Sequence, residues 1–321
     1  MSERDVMKGK RITRTSLQAM TLPAAIILMF ALQEILIPGS LSMGQTMLIS
    51  RQASTLGIIV LGQAIVILAG GIDLSVGSMV LITNVFAISW MRGSDTFLLQ
   101  GVLSCLALGL LVGCVNAAGV LLLKIAPFVM TLCTMTILQG VSYVYTKGAP
   151  TGSAAPGLRS LGTGYLFDAV PYSTLIWLLL AFLLFFLLRY TVYGRKLYAV
   201  GSNIAAAKLC GISTLRVRFS AYVISSLLAT LAGLIMSGYI NTATLSIGGD
   251  YVMNSLAAVL IGGNAIEGGR GGILGPVFGA FFIMLLFAIL TMLSIGEAGK
   301  LIAQGLIIFF VVAGQGLFKK G

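Results

Sequence analysis

Long uncharged stretches alternate with short charged or glycine-rich connections along almost the whole chain. A transmembrane helix needs about 20 mainly apolar residues, and most of these stretches reach that length. Residues 35–50 contain Pro38, Gly39, Gln45 and Thr46, so a connection is predicted there. The pattern predicts about ten spans, at 17–37, 53–72, 74–91, 97–123, 126–145, 172–191, 217–239, 250–264, 272–294 and 300–318.

The composition agrees with a membrane protein. Hydrophobic residues make up 58% of the 321 residues and charged residues only 9%, with a mean hydropathy of +1.04. A soluble domain has about 25% charged residues, so the predicted class is an all-α polytopic membrane protein with glycine-broken segments. The 20 Lys and Arg residues lie between apolar runs and form no continuous stripe, which argues against a nucleic-acid partner.

Missing residues and motifs restrict the chemistry. The sequence has no histidine, which removes the commonest catalytic base and metal ligand and argues against an enzyme. No GxxxxGK motif is present, so ATP binding by a P-loop is not expected. Cysteines without a CxxC spacing indicate neither a zinc site nor a disulfide framework. They are Cys105, Cys114, Cys133 and Cys210.

The distribution of positive charge predicts the orientation. If the N-terminus is cytoplasmic, most of the Lys and Arg residues fall in cytoplasmic segments, as the positive-inside rule requires. Both termini are therefore predicted to be cytoplasmic in a multi-pass membrane protein. The predicted organisation is a tail at 1–16, a membrane domain at 17–318 and a short end at 319–321. Glu34, near the outer end of the first span, is expected to reach the interface.

Two connections are long enough to have a function. The outer one, at 146–171, is rich in glycine and proline, which predicts a turn-rich cap with little apolar surface. The inner one, at 193–218, opens with a basic cluster. Within it, Asn203 can cap a short helix over Ile204 to Cys210, and Gly211 can end that helix. The pattern predicts a short amphipathic helix on the cytoplasmic face.

An acidic residue lies between the second and third spans. Asp73 belongs to the segment GGIDLSVGS, whose glycines Gly70, Gly71 and Gly77 permit a sharp reversal. Asp73 and Ser75 can each cap the following helix, and this structural role is the preferred interpretation. Contact with a transported solute is the alternative, because ionisable groups at bilayer depth are costly.

Uncharged polar residues are scattered over the predicted spans. Amide and hydroxyl groups suit a neutral polyhydroxylated solute, so the set is a candidate translocation path. Interhelical hydrogen bonds are the alternative for each residue taken singly. No charged side chain is expected at mid-depth, which argues against an ion pump. The set comprises Gln63, Asn84, Asn116, Thr131, Thr134, Gln139 and Asn254, with Gln304 in the last span.

A short echo links the two halves of the chain. Residues 70–73 read GGID after the second predicted span, and residues 248–250 read GGD after the seventh. Five spans separate them, so the two would face opposite sides of the membrane, as in a 5+5 inverted repeat. In a chain with 40 glycines, chance is an equal explanation.

Three segments resemble a known family. They are GGIDLSVGS at 70–78, GRKLYAVGSNIAAAKLCGIS at 194–213 and IGGNAIEGGRGGILGPVFGA at 261–280. Together with the stretch at 126–148, they are similar to the permease subunit of ribose-type bacterial ATP-binding-cassette (ABC) sugar importers, the binding-protein-dependent transport system inner membrane component family. The resemblance runs from about residue 50 to 318.

The resemblance implies several partners. They are a second permease subunit, identical or related, a cytoplasmic ABC ATPase and an external solute-binding protein, all working at a lipid membrane. ATP and Mg²⁺ would bind to the ATPase, and no cofactor is expected in this chain. The segment from Asn203 to Gly211 would form the coupling helix. The residues that would couple to the ATPase are Arg195, Asn203, Ala205, Ala206, Lys208 and Gly211.

The main hypothesis is therefore a permease that moves a sugar or sugar-like solute by alternating access, with ATP hydrolysed on separate subunits. An ion-coupled secondary carrier is the alternative from another class, and the lack of an expected carboxylate or histidine at mid-depth weighs against it. A membrane-embedded enzyme is a third hypothesis, which the missing histidine disfavours. The identity of the solute is not predicted.

Overall fold

The computed structural model describes residues 22–317, and for 311–317 only the backbone. Within this range the chain is a bundle of α-helices with one two-stranded antiparallel sheet. The predicted tail at 1–16, the start of the first predicted span and residues 318–321 lie outside the described residues. Because a backbone in lipid must satisfy its own hydrogen bonds, helices are the expected outcome for these apolar stretches.

The elements follow one another with short connections. In chain order they are α1 (Leu22–Leu36), α2 (Met43–Leu68), α3 (Val76–Met91), a 3-10 turn (Asp95–Phe97), α4 (Leu98–Leu121), α5 (Pro127–Thr146), α6 (Pro156–Thr163), β1 (Tyr165–Leu166), β2 (Val170–Pro171), α7 (Tyr172–Tyr190), α8 (Val192–Ser202), α9 (Ile204–Leu209), α10 (Thr214–Ile240), α11 (Gly249–Ile261), α12 (Leu274–Met292) and α13 (Glu297–Leu317).

Each predicted span overlaps one of these helices, and the all-α polytopic class is confirmed. Among the described residues, six helices are long and apolar enough to cross a membrane: α2, α4 with the turn before it, α5, α7, α10 and α12. Three further apolar helices, α1, α3 and α11, are shorter. The number of ten crossings therefore stays a prediction.

The connection predicted at 35–50 is wrong for its second half, because α2 begins at Met43. Ser42 is its N-cap and accepts a hydrogen bond from the backbone N–H of Gln45 at 3.2 Å. Arg51 is consequently buried within α2. Its guanidinium donates to the carbonyl of Thr163 at 2.8 Å and lies 4.3 Å from the centre of the Tyr165 ring. These contacts offset the burial of a charge that the hydropathy pattern places outside a helix.

Helix α2 is the centre of the bundle. Every residue from 53 to 68 is buried, and α7, α10, α11 and α12 pack around it. Helix α10 is its largest neighbour and lies antiparallel to it, since Gly62 packs against Ser225 and Arg51 approaches Tyr239. Glycine is required at position 62 because a Cβ atom would lie 2.9 Å from the Cα of Ser225. The outer helices enclose this core.

The long connection at 146–171 forms a folded cap at one end of the bundle, here named the cap end. Its helix α6 packs on α10, where Gly162 and Gly238 bring the two backbones together. Its β1–β2 hairpin turns at Phe167 and Asp168, both in the left-handed region. The expectation of little apolar surface is wrong, because Phe167 is 90% exposed at the tip of this hairpin.

Candidate functional site

The segment between α2 and α3 is a break held by one carboxylate. Asp73 Oδ1 accepts hydrogen bonds from the backbone N–H of Ser75 at 3.0 Å and from its hydroxyl at 2.6 Å. Asp73 Oδ2 accepts from the hydroxyl of Ser225 on α10 at 2.9 Å. Ser75 is the N-cap residue of α3, but its side chain makes no capping bond, which corrects that part of the prediction. Asp73 instead forms a side-chain turn just before the helix.

The same break is connected to α4 and α5. Asn116 on α4 donates through Nδ2 to the hydroxyl of Ser75 at 2.8 Å. Thr134 on α5 donates to Oδ1 of Asn116 at 2.6 Å. All these side chains are buried, so each bond replaces a contact with water. Two predicted path residues thus belong to a structural network that joins four helices through Asp73.

A second break lies between α10 and α11, and it meets the first. A Cβ atom on Gly77, in the first turn of α3, would overlap the carbonyl oxygen of Gly248, and a Cβ on Gly248 would overlap the carbonyl oxygen of Gly77. Gly248 also has φ +100°, a conformation that L side chains rarely adopt. The backbones at the N-termini of α3 and α11 are therefore in direct contact.

Asn84 forms hydrogen bonds to the backbone segment between α10 and α11 that leads to this junction. Its Nδ2 donates to the hydroxyl of Ser237 and to the carbonyl of Thr242, each at 3.2 Å. Its Oδ1 accepts from the backbone N–H of Thr244 at 2.9 Å. Asn84 is fully buried, so it satisfies backbone groups of a non-helical segment inside the bundle. This role differs from the predicted one of lining a path.

The junction lies well inside the length of α10. Val80 packs against Gly233 of α10, and Gly77 lies three residues before Val80. At 1.5 Å per residue, the junction is therefore about 15 Å from the cap end of α10, which is about 40 Å long. Asp73, bonded to Ser225, is about 16 Å from the opposite end of α10 on the same measure.

The position of Asp250 bears on the expectation that no charged side chain lies at mid-depth, which stays a prediction. Asp250 is in the first turn of α11, two residues after the junction, and its side chain is exposed. Residues 241–248 therefore descend from the cap end into the bundle before α11 begins. The two glycine segments of the sequence echo approach each other from opposite ends, while the inverted repeat itself stays a prediction.

The other predicted path residues are dispersed. Thr131 is buried and donates back to the carbonyl of Pro127 at 2.9 Å within its own helix. Gln63 is buried in α2, and neither side-chain atom has a partner among the described residues. Gln139 is half-buried on α5. Asn254 and Gln304 line a cavity between α11 and α13.

That cavity is one of two that adjoin. Both are bounded by Met236, Tyr251 and Met284, so they lie on either side of the same helices. The first, of about 240 Å³, is lined by Arg51 and Ser173, while the second, of about 230 Å³, is lined by residues of α11 and α13.

The predicted inner helix is present as α9. Asn203 accepts a hydrogen bond from the backbone N–H of Ala206 at 3.0 Å, and Gly211 follows the helix with φ +74°, as predicted. Ala205, Ala206 and Lys208 are exposed. Arg195 belongs to α8 instead, where it lines a separate cavity with Arg189 and Tyr198, so the structure does not place it on α9.

Helix α8 is fixed to the loop after α11. The Tyr198 hydroxyl donates to the carbonyl of Gly271 at 3.1 Å. Burial raises the pKa of Tyr198 above its ordinary value, and the positive charge of Arg189 offsets only part of this increase. Tyr198 therefore keeps its proton, and with it this hydrogen bond, at neutral pH.

Comparison with known families identifies the class of protein. Residues 45–312 match the family described as "Branched-chain amino acid transport system / permease component". The chain belongs to this family of permeases. A permease component is a transport protein and not an enzyme.

Curated relatives extend over most of the permease. This chain is 35% identical over 293 residues to the ribose import permease protein of Haemophilus influenzae, and the match covers 90% of each chain. The ribose import permease protein of Bacillus subtilis is 34% identical over 82% of this chain and 81% of its own. The fructose import permease protein of Rhizobium meliloti is 32% identical, over 83% and 76% respectively. No solved structure gives a significant match.

The three segments that carry the resemblance meet at the end of the permease opposite the cap, here named the α9 end. The backbone N–H of Gly269 donates to the carbonyl of Leu68 at 3.1 Å, and a Cβ on Gly268 would lie 2.9 Å from Gly70. Gly201 packs against Leu68 so closely that a Cβ would overlap its carbonyl oxygen. The segment before α9 therefore contacts the end of α2, and the loop after α11 contacts the start of the break that contains Asp73.

Several residues of this permease could not be selected from the sequence. Ser225 is 152 positions from its partner Asp73, and no local pattern links the two. Leu209, 90% exposed on α9, is apolar and resembles any core residue in the sequence. The similarity of GGD at 248–250 to GGID at 70–73 does single out Asp250 in the sequence. How far the segment before Asp250 enters the bundle is visible only in the fold.

Proposed function

We propose that this chain is the membrane-spanning subunit of an ABC importer for a sugar or sugar-like solute, and that ATP is hydrolysed by partner subunits. The observation that carries the proposal is the similarity over about nine tenths of both chains to a ribose import permease protein. The family description mentions branched-chain amino acids, whereas these relatives carry the names of sugars. The family model covers a comparable share of the chain, residues 45–312, so we give the relatives more weight because they are individual proteins that are 32–35% identical to this chain.

The solute path is proposed to follow the face formed by α5, α3, α11 and α13. These helices are neighbours in that order, and α3 and α11 supply the glycine junction. Among the six long apolar helices, α5 has the lowest mean hydropathy, 1.4, and also the smallest buried share, 22%. A helix this exposed and this polar is a poor fit to lipid. Thr136 is exposed on this helix, and Gln139 is half-buried.

The opposite case is α7, whose mean hydropathy is 2.0. Apart from Arg189 and Tyr190 at its C-terminal end, its exposed side chains are large and apolar, as a lipid-facing helix requires. They include Leu178, Leu179, Phe182, Leu183 and Phe186. We propose that α7 faces lipid and that the α5 face meets a second permease subunit across the path.

Coupling to the ATPase is proposed to run through α9. Its exposed surface is apolar at Ile204 and Leu209 and basic at Lys208, which suits a groove with an acidic rim. Movement of α9 would pass through Gly201 to the end of α2 and to Gly70, because these backbones are in contact. Rigid-body displacement of packed elements is a common form of such transmission.

The orientation is proposed to place both termini and α9 in the cytoplasm of a bacterium, with the cap outside. The basic residues Arg189, Arg195, Lys196, Lys208, Arg216 and Arg218 all lie near α9, which agrees with the positive-inside rule. The cap with Phe167 would then face the solute-binding protein.

Reconstitution tests the proposed function. The chain would be purified with its ATPase and binding protein, placed in proteoliposomes, and offered ribose, fructose and leucine in parallel. We expect ATP-dependent uptake of a sugar but not of leucine, and no uptake after the ATPase is omitted. Sugar accumulation without the ATPase would instead indicate an ion-coupled carrier, and uptake of leucine alone would overturn the proposed solute class.

A further inference from the structure

The cavity between α11 and α13 has walls with unused hydrogen-bonding groups. Asn254 is 3% exposed and its Oδ1 has no hydrogen-bond partner among the described residues. Gln304 is 7% exposed and its Nε2 likewise has none. Both residues line the cavity, one contributing an acceptor and the other a donor. Since buried polar groups are normally paired, this arrangement points to a polar ligand.

The adjoining cavity repeats this feature. Ser173, at 1% exposed, lines it with an unpartnered hydroxyl, and Arg51 contributes an unpartnered Nε. Each cavity has room for several water molecules at about 30 Å³ per water, a volume that suits a small solute better than a lipid chain.

The remaining wall residues specify the chemistry further. Tyr251 lies between the cavities and presents a half-buried ring, a surface on which the C–H face of a sugar ring packs well. Asp250 also lines the cavity, and its exposed carboxylate provides two acceptor oxygens. A carboxylate can accept from two neighbouring hydroxyl groups at once.

The charge of the cavity argues for a neutral ligand. Glu297 and Lys300 also line it and form an ion pair at 3.2 Å, so they neutralise each other. Among the described residues no group of three or more acidic or cysteine side chains could hold a metal ion. A single carboxylate beside amide groups is better suited to hydroxyls than to a cation or an anion.

We propose that Asp250, Tyr251, Asn254 and Gln304 form an intramembrane subsite that contacts a neutral polyhydroxylated solute during its passage. The proposal rests on the proposed transport function and adds the residues that recognise the cargo inside the membrane. It assigns Asn254 Oδ1 to accept a hydrogen bond from a solute hydroxyl and Gln304 Nε2 to donate one to a solute oxygen. The position next to the Gly77–Gly248 junction places this subsite within the span of the bundle.

Near-isosteric apolar variants test the subsite in the complete reconstituted transporter. Asn254→Leu and Gln304→Met should each lower the sugar transported per ATP hydrolysed by about 3- to 10-fold, the effect of one lost hydrogen bond. ATP hydrolysis stimulated by the loaded binding protein should stay unchanged. Gln63→Met is the matched control, since Gln63 is a buried amide without a partner among the described residues and lines neither cavity. It should leave the transport ratio as in the natural protein.

The outcomes separate the two proposals. If the unmodified complex takes up no sugar with ATP, the proposed function fails. If it transports sugar and both cavity variants match it, the subsite is excluded while the function stands. A variant that loses ATPase stimulation together with uptake indicates a folding or coupling defect, and thiol accessibility then decides the question.

For that measurement, Asn254→Cys is introduced after the four native cysteines are replaced by serine or alanine. A water-soluble thiol reagent should modify position 254, and the transported sugar, but not leucine, should slow that modification several-fold. Gln63→Cys serves as the control and should be unaffected by sugar. No modification at 254 in any state of the cycle, or modification that sugar leaves unchanged, overturns the proposal.

Discussion

Gly77 and Gly248 pack backbone against backbone at the point where α3 and α11 begin. Two helices too short to cross a membrane thus start at the same place and run towards opposite ends of the bundle. Helix N-termini carry a partial positive charge, so this junction is a favourable neighbour for the acidic Asp250 and for solute oxygens. The contact depends on the absence of a side chain at both positions.

Substitution of either junction glycine should destabilise the permease. Gly248→Ala introduces a methyl group onto the carbonyl of Gly77 and strains a backbone with φ +100°, and we expect a loss of at least about 2 kcal/mol in the free energy of unfolding. Gly77→Ala should behave similarly. Thermal unfolding in detergent measures the effect as a lower Tm.

Gly140 provides the control for the junction. It lies within α5, and no atom comes within 4 Å of the place that a methyl group would occupy, so Gly140→Ala should be neutral or stabilising by up to about 1 kcal/mol. Equal Tm values for Gly248→Ala and Gly140→Ala would contradict the close contact.

The carboxylate of Asp73 should matter more for stability than for transport. Asp73→Ala removes the acceptor of three hydrogen bonds and leaves the Ser75 and Ser225 groups unpaired in the core, so we expect a loss of about 3 kcal/mol or more. Asp73→Asn keeps one acceptor oxygen and should cost about 1 kcal/mol. Chemical unfolding of each variant gives these values.

A double-mutant cycle with Ser225→Ala checks the bond across the break. Ser225→Ala alone should cost about 1 kcal/mol, and little of that cost should remain when Asp73 is already alanine. Strict additivity of the two changes would show that the Asp73–Ser225 bond does not contribute.

Local patterns in the sequence predicted most of the helices and the cap of α9, whereas contacts between distant segments could not be predicted from them. Asn203 and Gly211 bound α9 as predicted because capping depends on residues three or four positions away. Helix α2 begins ten residues before the prediction, because the hydropathy pattern places the charge of Arg51 outside a helix. The burial of Arg51 is offset by contacts with Thr163 and Tyr165, which are more than a hundred positions away in the sequence.

The assignment of polar residues to a path had the same limit. Asn84, Asn116 and Thr134 form hydrogen bonds to other segments, whereas Asn254 lines a cavity, and all four look alike in the sequence. An amide in an apolar helix signals burial of a polar group. Whether a protein atom or a solute satisfies it is determined by the tertiary fold.

Leu209 should be needed for attachment of the ATPase. Its side chain is 90% exposed at the end of α9, so Leu209→Asp leaves the core of the permease unchanged. Truncation of an interface anchor costs about 2 kcal/mol, which corresponds to roughly 30-fold weaker binding. Copurification of the ATPase with the variant, compared with the conservative Leu209→Met, measures this loss. Unchanged copurification would exclude Leu209 from the interface.

Phe167 should have the complementary role at the cap end. It is equally exposed, at the tip of the β1–β2 hairpin, and Phe167→Asp should abolish most of the stimulation of ATP hydrolysis by the loaded binding protein. Attachment of the ATPase and its basal activity should stay unchanged, because the hairpin lies at the end of the bundle opposite α9. Stimulation is measured in proteoliposomes at several concentrations of binding protein.

The pair of variants also tests the orientation. Leu209→Asp and Phe167→Asp remove the same kind of side chain at opposite ends, so each is the control for the other. The proposed orientation requires that only the first weakens ATPase attachment and only the second weakens the response to the binding protein. The reverse result would place the cap in the cytoplasm, because a motor and an external binding protein cannot use the same side of the membrane.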